Sequence, residues 1–266
     1  MSWRFTVPNM ANAVLYLVGV AIAIAIALVF LFWVRRMELY HREPWSMVIY
    51  ALVIGAIVAG AGAVILVLLG LPLDDFGDFQ PFSATLQGVL IAILVAPIVE
   101  ETVKAGSLIA LRGRLVEPEN ALVYGAAIGL GFAMMENILY FYGEVYSSGA
   151  NGLAASVLIR TFTSTVMHMS TAAIAGFGVG MLLTKNKTGK TPWFSYVIAA
   201  IILHALFNLF ASASIMVSDQ LTKDVVNLFS GAIIGGAVAW YALIFMRNKI
   251  KQLDLENEIK KEIGVG

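Results

Sequence analysis

Seven apolar runs occupy most of this 266-residue chain, each close to the length a helix needs to cross a bilayer. They lie at about 11–34, 47–71, 84–111, 120–142, 156–183, 194–216 and 225–246. A hydrocarbon core of roughly 30 Å takes about 20 helical residues, and in lipid every backbone polar group must be paired within the protein. Uncharged runs of this length meet that demand as helices. The expected fold is therefore all-α, a multi-pass transmembrane helical bundle of about seven spans. Hydrophobic residues make up 60% of the chain and charged ones 13%, which excludes an ordinary soluble enzyme. The first run is longer than the roughly 7–15 apolar residues of a secretory signal and reads as an uncleaved span.

The positions of Lys and Arg orient the bundle, because short cytoplasmic loops retain positive charge. Arg35, Arg36, Arg42, Arg112, Arg114, Lys185, Lys187 and Lys190 follow spans one, three and five, and Arg247, Lys249, Lys251, Lys260 and Lys261 fill the tail. The opposite side holds Arg4 and Lys223 against Asp74, Asp75, Asp78, Glu144 and Asp219. The expectation is an N-terminus outside and a C-terminus in the cytoplasm of a plasma-membrane protein. Residues 1–246 form one transmembrane domain, and 247–266 a charged cytoplasmic tail that reads as a short solvated or interface-lying helix. Equal numbers of acidic and basic residues, 17 of each, argue against a nucleic-acid partner; membrane lipids are the expected surroundings. With no Cys, disulfides, thiolate nucleophiles and thiolate metal sites are excluded together.

An ionisable group near the bilayer centre costs several kcal/mol unless it is paired or hydrated, so the few present are informative. They are Glu100, Glu101, Lys104, Glu136, Arg160, His168 and His204, accompanied by Asn137 and Asn208. They come from spans three to six at overlapping depths, and all should face a common interior or a wet cavity. Lys104 stands i+4 from Glu100 and i+3 from Glu101, so it can neutralise either carboxylate and leaves the other over. The two Glu point about 100° apart, so they do not present the same face. His204 and Asn208 are i,i+4 on one face, a spacing that lets two donors converge on one oxygen. The GxxxG pairs Gly125/Gly129 and Gly231/Gly235 serve close helix packing.

A water held between a carboxylate and imidazoles in a low-dielectric cavity can attack a carbonyl, with Glu as base and His, Asn or a metal stabilising the oxyanion. The chain has no intramembrane Asp pair, no GxSG nucleophile motif and no HExxH zinc motif. A hydrolase using Glu and His remains.

Glu100-Glu101-Thr102-Val103-Lys104 resembles the EExxK motif of the PrsW family of membrane proteases, within the wider CAAX-processing (CPBP, Rce1-like) superfamily. The stretch from Tyr124-Gly125 through Phe132 to Glu136-Asn137 is similar to a second block, with FxxxE where Rce1-like members carry FxxxH. Arg160 with His168, and Leu203-His204-Ala205-Leu206-Phe207-Asn208, are similar to third and fourth blocks, and Arg42-Glu43-Pro44-Trp45 to a loop motif. The likeness runs from about 40 to 210. It implies an intramembrane endopeptidase cutting within or next to a membrane segment, with site-1-type cleavage of a single-span, anti-sigma-factor-like membrane protein as the family's link to regulation. It also implies Glu100 or Glu101 as the water-activating carboxylate, Glu136 and His168 as assistants, and His204 with Asn208 as the oxyanion site. PrsW proteins are grouped with metallopeptidases, whereas Rce1-like relatives resemble metal-independent enzymes. For a divalent metal such as zinc, Glu136, His168 and His204 offer three protein ligands with an open fourth position.

Other readings stand beside this one. The Glu–Lys group can be a buried ion pair that sets helix register. Glu136-Asn137 and the two His can be interhelical hydrogen-bonding residues. His41, in a basic loop, reads as solvated. An ion-coupled transporter also buries Glu, His and Lys, and a noncatalytic scaffold can bind a partner's transmembrane helix with the same fold. Clustering around one water distinguishes hydrolysis from a polar path across both faces. Glu100→Ala, Glu101→Ala and His204→Ala are each expected to abolish cleavage with folding intact.

Overall fold

The computed structural model describes residues 10–69, 90–184, 192–213, 222 and 227–263. Every regular element among them is helical: α1 (Met10–Arg35), α2 (Trp45–Leu68), α3 (Ala96–Ser107), α4 (Pro118–Phe162), α5 (Ser164–Leu183), α6 (Trp193–Ala211) and α7 (Gly236–Glu262). A π-helical turn, Ile91–Val95, leads into α3, and 3-10 turns, Leu108–Arg114, lead out of it. A second π-helical segment, Asn227–Gly235, leads into α7.

Five stretches among the described residues are long and apolar enough to cross a membrane, against the seven expected: Met10–Arg35, Trp45–Leu68, Pro118–Leu183, Trp193–Ala211 and Phe229–Glu262. Two departures explain the difference. Expected span three holds only the 12-residue α3 as regular α-helix, and residues 84–89 lie outside the described ones. Pro97, in the first turn of α3, has no N–H for the carbonyl of the preceding turn, and the backbone just before it is π-helical. Expected spans four and five fall in the single stretch Pro118–Leu183. That stretch folds back on itself at Gly149, whose φ of 65° and ψ of −144° suit a residue without a Cβ. The arms run antiparallel: a Cβ on Gly180 would meet Pro118, one on Gly176 would meet Ala121, and one on Gly129 would meet His168. Of the loop charges used for orientation, Arg4, Asp74, Asp75, Asp78, Lys185, Lys187, Lys190, Asp219 and Lys223 lie outside the described residues.

The hairpin is the core. Every residue from Ser164 to Met181 on α5 is buried, as is nearly all of the first arm of α4 from Pro118 to Ala133. Ser, Thr, Ala and Gly dominate α5, so neighbours approach it from all sides. Helices α1 and α2 pack on α4, while α6 and α7 pack on α5. Their outward faces carry Val14, Leu17, Ile57, Leu68, Ile198 and Ile202, all exposed, as lipid contact requires. Helix α3 lies between α2, α5 and α6, which places its polar face at the centre of the bundle.

Helix α2 crosses α4 closely, because Gly55 and Gly131 remove the side chains that would separate them. A Cβ on Gly55 would collide with the Ile128 backbone carbonyl, whereas one on Gly60 of the same helix meets nothing within 4 Å. Gly55→Leu is therefore expected to cost about 1–3 kcal/mol or to block folding. Gly60→Ala should be neutral or stabilising by up to about 1 kcal/mol. Thermal midpoints in detergent check both.

The described part of the tail is helical, as expected, and docks along one face. Helix α7 continues unbroken through Arg247 to Glu262, and Ile250, Leu253 and Asp254 on it are buried. The Asp254 carboxylate accepts hydrogen bonds from the backbone N–H groups of Leu39, Tyr40 and His41. His41 Nε2 lies 2.9 Å from Glu258, and Asn257 Nδ2 donates to Glu119 at 2.7 Å. The α1–α2 loop is thus tied to both the C-terminal helix and the start of α4. Within it, Glu43 accepts from Asn120 Nδ2 and Tyr124 Oη, and its own N–H donates to Glu38 at 3.1 Å.

Burial pushes the Glu38 carboxyl up from 4.5 to about 8, with its like-charged neighbours Glu43 and Asp254 adding to desolvation. Between those two values the folded chain holds a proton that the unfolded chain has released, so stability falls as pH rises through the window. Glu38→Gln should raise the thermal midpoint at pH 8, with the gap closing toward pH 5. An equal gap at both would contradict this.

Candidate active site

Helix α3 brings three charged side chains to the bundle centre: Glu100 is 7% exposed, Glu101 0% and Lys104 1%. The i,i+3 spacing sets Lys104 Nζ 2.9 Å from Glu101 Oε1, while i,i+4 leaves it 3.5 Å from Glu100 Oε2. Glu101 Oε1 also accepts from Thr171 Oγ1 of α5 at 3.1 Å and meets His204 Nδ1 of α6 at 2.8 Å. One carboxylate oxygen therefore ties three helices together. Each glutamate also has an Oε2 that is buried without a hydrogen-bond partner, but that of Glu100 faces two imidazoles, 3.8 Å from His204 Nε2 and 3.9 Å from His168 Nδ1.

The first arm of α4 supplies the second carboxylate. Phe132 and Glu136, one helical turn apart, flank His168. The Phe132 ring is 5.3 Å from the imidazole and 4.0 Å from Lys104 Nζ, and Glu136 Oε2 is 2.8 Å from His168 Nε2. Arg160, from the returning arm, donates through Nη2 to Glu136 Oε2 at 2.9 Å and through Nε to Asn137 Oδ1 at 2.7 Å. Its guanidinium sits over Tyr140 at 3.7 Å. Asn137 Nδ2 passes the chain of bonds to Thr165 at 3.0 Å.

These groups border a cavity of about 480 Å³. Glu100, Glu136, His168, His204, Asn208 and Arg160, together with Tyr140, Thr163, Ser164 and Ser212, form its polar part, and Ala96, Ile159, Phe207, Ala211, Gly231 and Ala232 its apolar wall. All six residues expected in catalysis thus lie in one region, with Glu101 set behind Glu100 and His204 rather than on the wall. Thr171 escapes sequence reasoning. A Thr in a span ordinarily bonds its own helix, as this one also does to the Met167 carbonyl, and only its place one turn from His168 hints at more.

A profile described as PrsW family intramembrane metalloprotease matches residues 43–234. The chain belongs to this family. It is 31% identical over 184 residues to Protease PrsW of Clostridioides difficile (strain 630), covering 67% of this chain and 72% of that relative. No solved structure matches it. The PrsW match makes the protein a membrane peptide hydrolase, a multi-pass intramembrane protease whose surroundings are lipid and whose substrates are membrane proteins. It extends past the expected limit near 210 and takes in Gly231 and Ala232 of the cavity wall.

Metalloprotease chemistry asks for a donor set, and among the described residues Glu100, His168 and His204 offer ligand atoms all within 4.8 Å of one another. Glu136, expected as the carboxylate ligand, instead bonds His168 and Arg160. The edges of a tetrahedral zinc site with ligands about 2.0–2.1 Å from the metal are about 3.3 Å. The 3.8 and 3.9 Å separations from Glu100 are therefore slightly open, and Lys104 Nζ, 2.8 Å from His168 Nδ1, occupies the lone pair a metal would need there. The unpartnered Glu100 Oε2 fits a bound cation, as does His204 Nε2 with its Nδ1 held by a carboxylate.

The two adjacent glutamates should separate cleanly on mutation. Glu101→Ala leaves Lys104 buried without its main partner and is expected to cost about 3–5 kcal/mol, so it should not leave folding intact. Glu100→Gln should keep the thermal midpoint within a few degrees. Comparing melting curves of the two variants checks the assignment.

Proposed function

We propose that Glu100 activates the hydrolytic water of an intramembrane endopeptidase, with His204 beside it and Glu136 as the second carboxylate. The observation that carries this is the pairing of Glu100 Oε2, buried and without a hydrogen-bond partner, with His204 Nε2 3.8 Å away. An oxygen about 2.8 Å from each closes a triangle on them, which is hydrogen-bond reach for one water. Glu100 takes a proton from that water as it attacks the scissile carbonyl, and returns it to the departing amine. Asn208, on the same wall, is the donor to the oxyanion. Arg160 and His168 hold Glu136 in place from two sides. The apolar wall takes the extended backbone of the substrate segment and excludes bulk water.

Zinc is the metal we propose: Glu100, His204 and, once Lys104 releases its Nδ1, His168 would hold it at the point otherwise taken by the water, and Glu136 would then be the carboxylate left to accept the proton. When bound it supplies Lewis acidity to water and carbonyl. We further place the protein in the plasma membrane and in the CAAX-processing superfamily, with a single-span, anti-sigma-factor-like protein as substrate. The topology we favour has seven crossings with the N-terminus outside. Its support is that the α1–α2 loop, the start of α4 and the end of α7 contact one another. Arg35, Arg36 and Arg42 belong to that same end.

Purified protein in liposomes with a single-span reporter tests the reading. Cleavage should fall at least about 100-fold in Glu100→Gln and His204→Gln, each still folded. Excess chelator should remove activity and zinc should restore it. Cleavage by folded Glu100→Gln would refute the role of Glu100, and full activity in chelator with no metal by elemental analysis would refute the zinc.

A further inference from the structure

We propose that Lys104 sets the two intramembrane histidines in opposite tautomers: His204 turns an unprotonated Nε2 into the cavity, and His168 turns an Nε2–H toward Glu136. An ammonium has three donors and no acceptor. Lys104 Nζ, 2.8 Å from His168 Nδ1, therefore requires a lone pair on that nitrogen, and the ring proton sits on Nε2, 2.8 Å from the Glu136 Oε2 acceptor. Lys104 also holds Glu101 Oε1 at 2.9 Å, and that oxygen accepts from His204 Nδ1 at 2.8 Å. The proton of His204 is thus on Nδ1, and its Nε2 lone pair faces Glu100 Oε2 across 3.8 Å.

Thr171, 3.1 Å from the same oxygen of Glu101, completes the arrangement, and the Phe132 face beneath Lys104 holds its ammonium in place. The imidazoles stand nearly perpendicular, at 87° with centroids 5.0 Å apart, so the two rings present different atoms to different partners. One lysine therefore divides two chemically identical side chains into an acceptor that faces water and a donor that fastens a carboxylate. Lys104 is a positioning residue: it lies behind the reacting groups rather than on the cavity wall. The consequence for cleavage rests on the hydrolytic reading above, whereas the tautomers do not.

The chain has only three histidines, which makes the test direct. Full-length protein labelled with nitrogen-15 histidine, in detergent at neutral pH after chelator treatment, reports each tautomer through two-bond proton–nitrogen couplings. His41→Gln and His204→Gln assign the signals. The expected spectrum has His168 protonated on Nε2 and His204 on Nδ1. The same tautomer on both rings, or an imidazolium at either, overturns the proposal without any appeal to a variant's folding. In Lys104→Met, the metal-free protein's His168 signal should shift to a mixture of tautomers. An unchanged His168 signal in that variant also overturns it. A parent protein with the expected tautomers that cleaves no membrane protein would refute the protease reading and leave the tautomer assignment standing.

Discussion

The buried contact between Glu101 and Lys104 carries the rest of the site. Neither side chain touches water, since both have 0% side-chain exposure. A pair in such surroundings persists only when the remaining lone pairs and protons are met. Here they are met in part by the groups that need fixing: His204 and Thr171 on Oε1 of Glu101 and His168 on the ammonium, while Glu101 Oε2 is buried without a hydrogen-bond partner. The pair thereby links α3 to α5 and α6 and leaves Glu100, one residue earlier, as the α3 carboxylate on the cavity wall. Three carboxylates, Glu100, Glu101 and Glu136, face two obligate cations, Lys104 and Arg160. One negative charge is therefore left over at the cluster that the proposed chemistry asks to accept a proton or hold a metal.

Such a cluster survives within lipid because the bundle places its least oily helices inside. The α4–α5 hairpin is rich in Gly, Ala, Ser and Thr, so backbones approach closely and no charged group has to face hydrocarbon. The long aliphatic side chains that would stabilise a soluble core lie on the outside of α1, α2 and α6. Gly129 lets α4 lie against the backbone at His168, which brings Phe132 and Glu136 to either side of the imidazole. Packing and site chemistry are thus set by the same few small residues.

Much of this was legible in the sequence because lipid makes polarity conspicuous. Glu100, Glu101, Glu136, His168, His204 and Asn208 stand out in apolar runs for energetic reasons, and the i,i+3 tie of Lys104 to Glu101 follows from helix geometry. Which glutamate faces the cavity was not legible, because adjacent residues point to different sides and packing of α3 among its neighbours decides between them. The metal-ligand group differs for a related reason. Glu136 is as polar as Glu100 in sequence, but the returning arm supplies Arg160 to engage it. Length and hydropathy also do not reveal the π-helical turn before Pro97. The partners of Asp254 are backbone N–H groups some 215 positions away, which no pattern of side chains announces.

A double-mutant cycle on Glu101 and Lys104 measures directly whether the two side chains depend on each other. Thermal stabilities of Glu101→Gln, Lys104→Met and the double variant give the coupling between the two positions. Each single variant is expected to be destabilised by several kcal/mol because it strands a buried charge, and the double variant to be more stable than either. Additive effects, with the double variant the least stable of the three, would show that the two side chains do not depend on each other and that the pair does not organise the site.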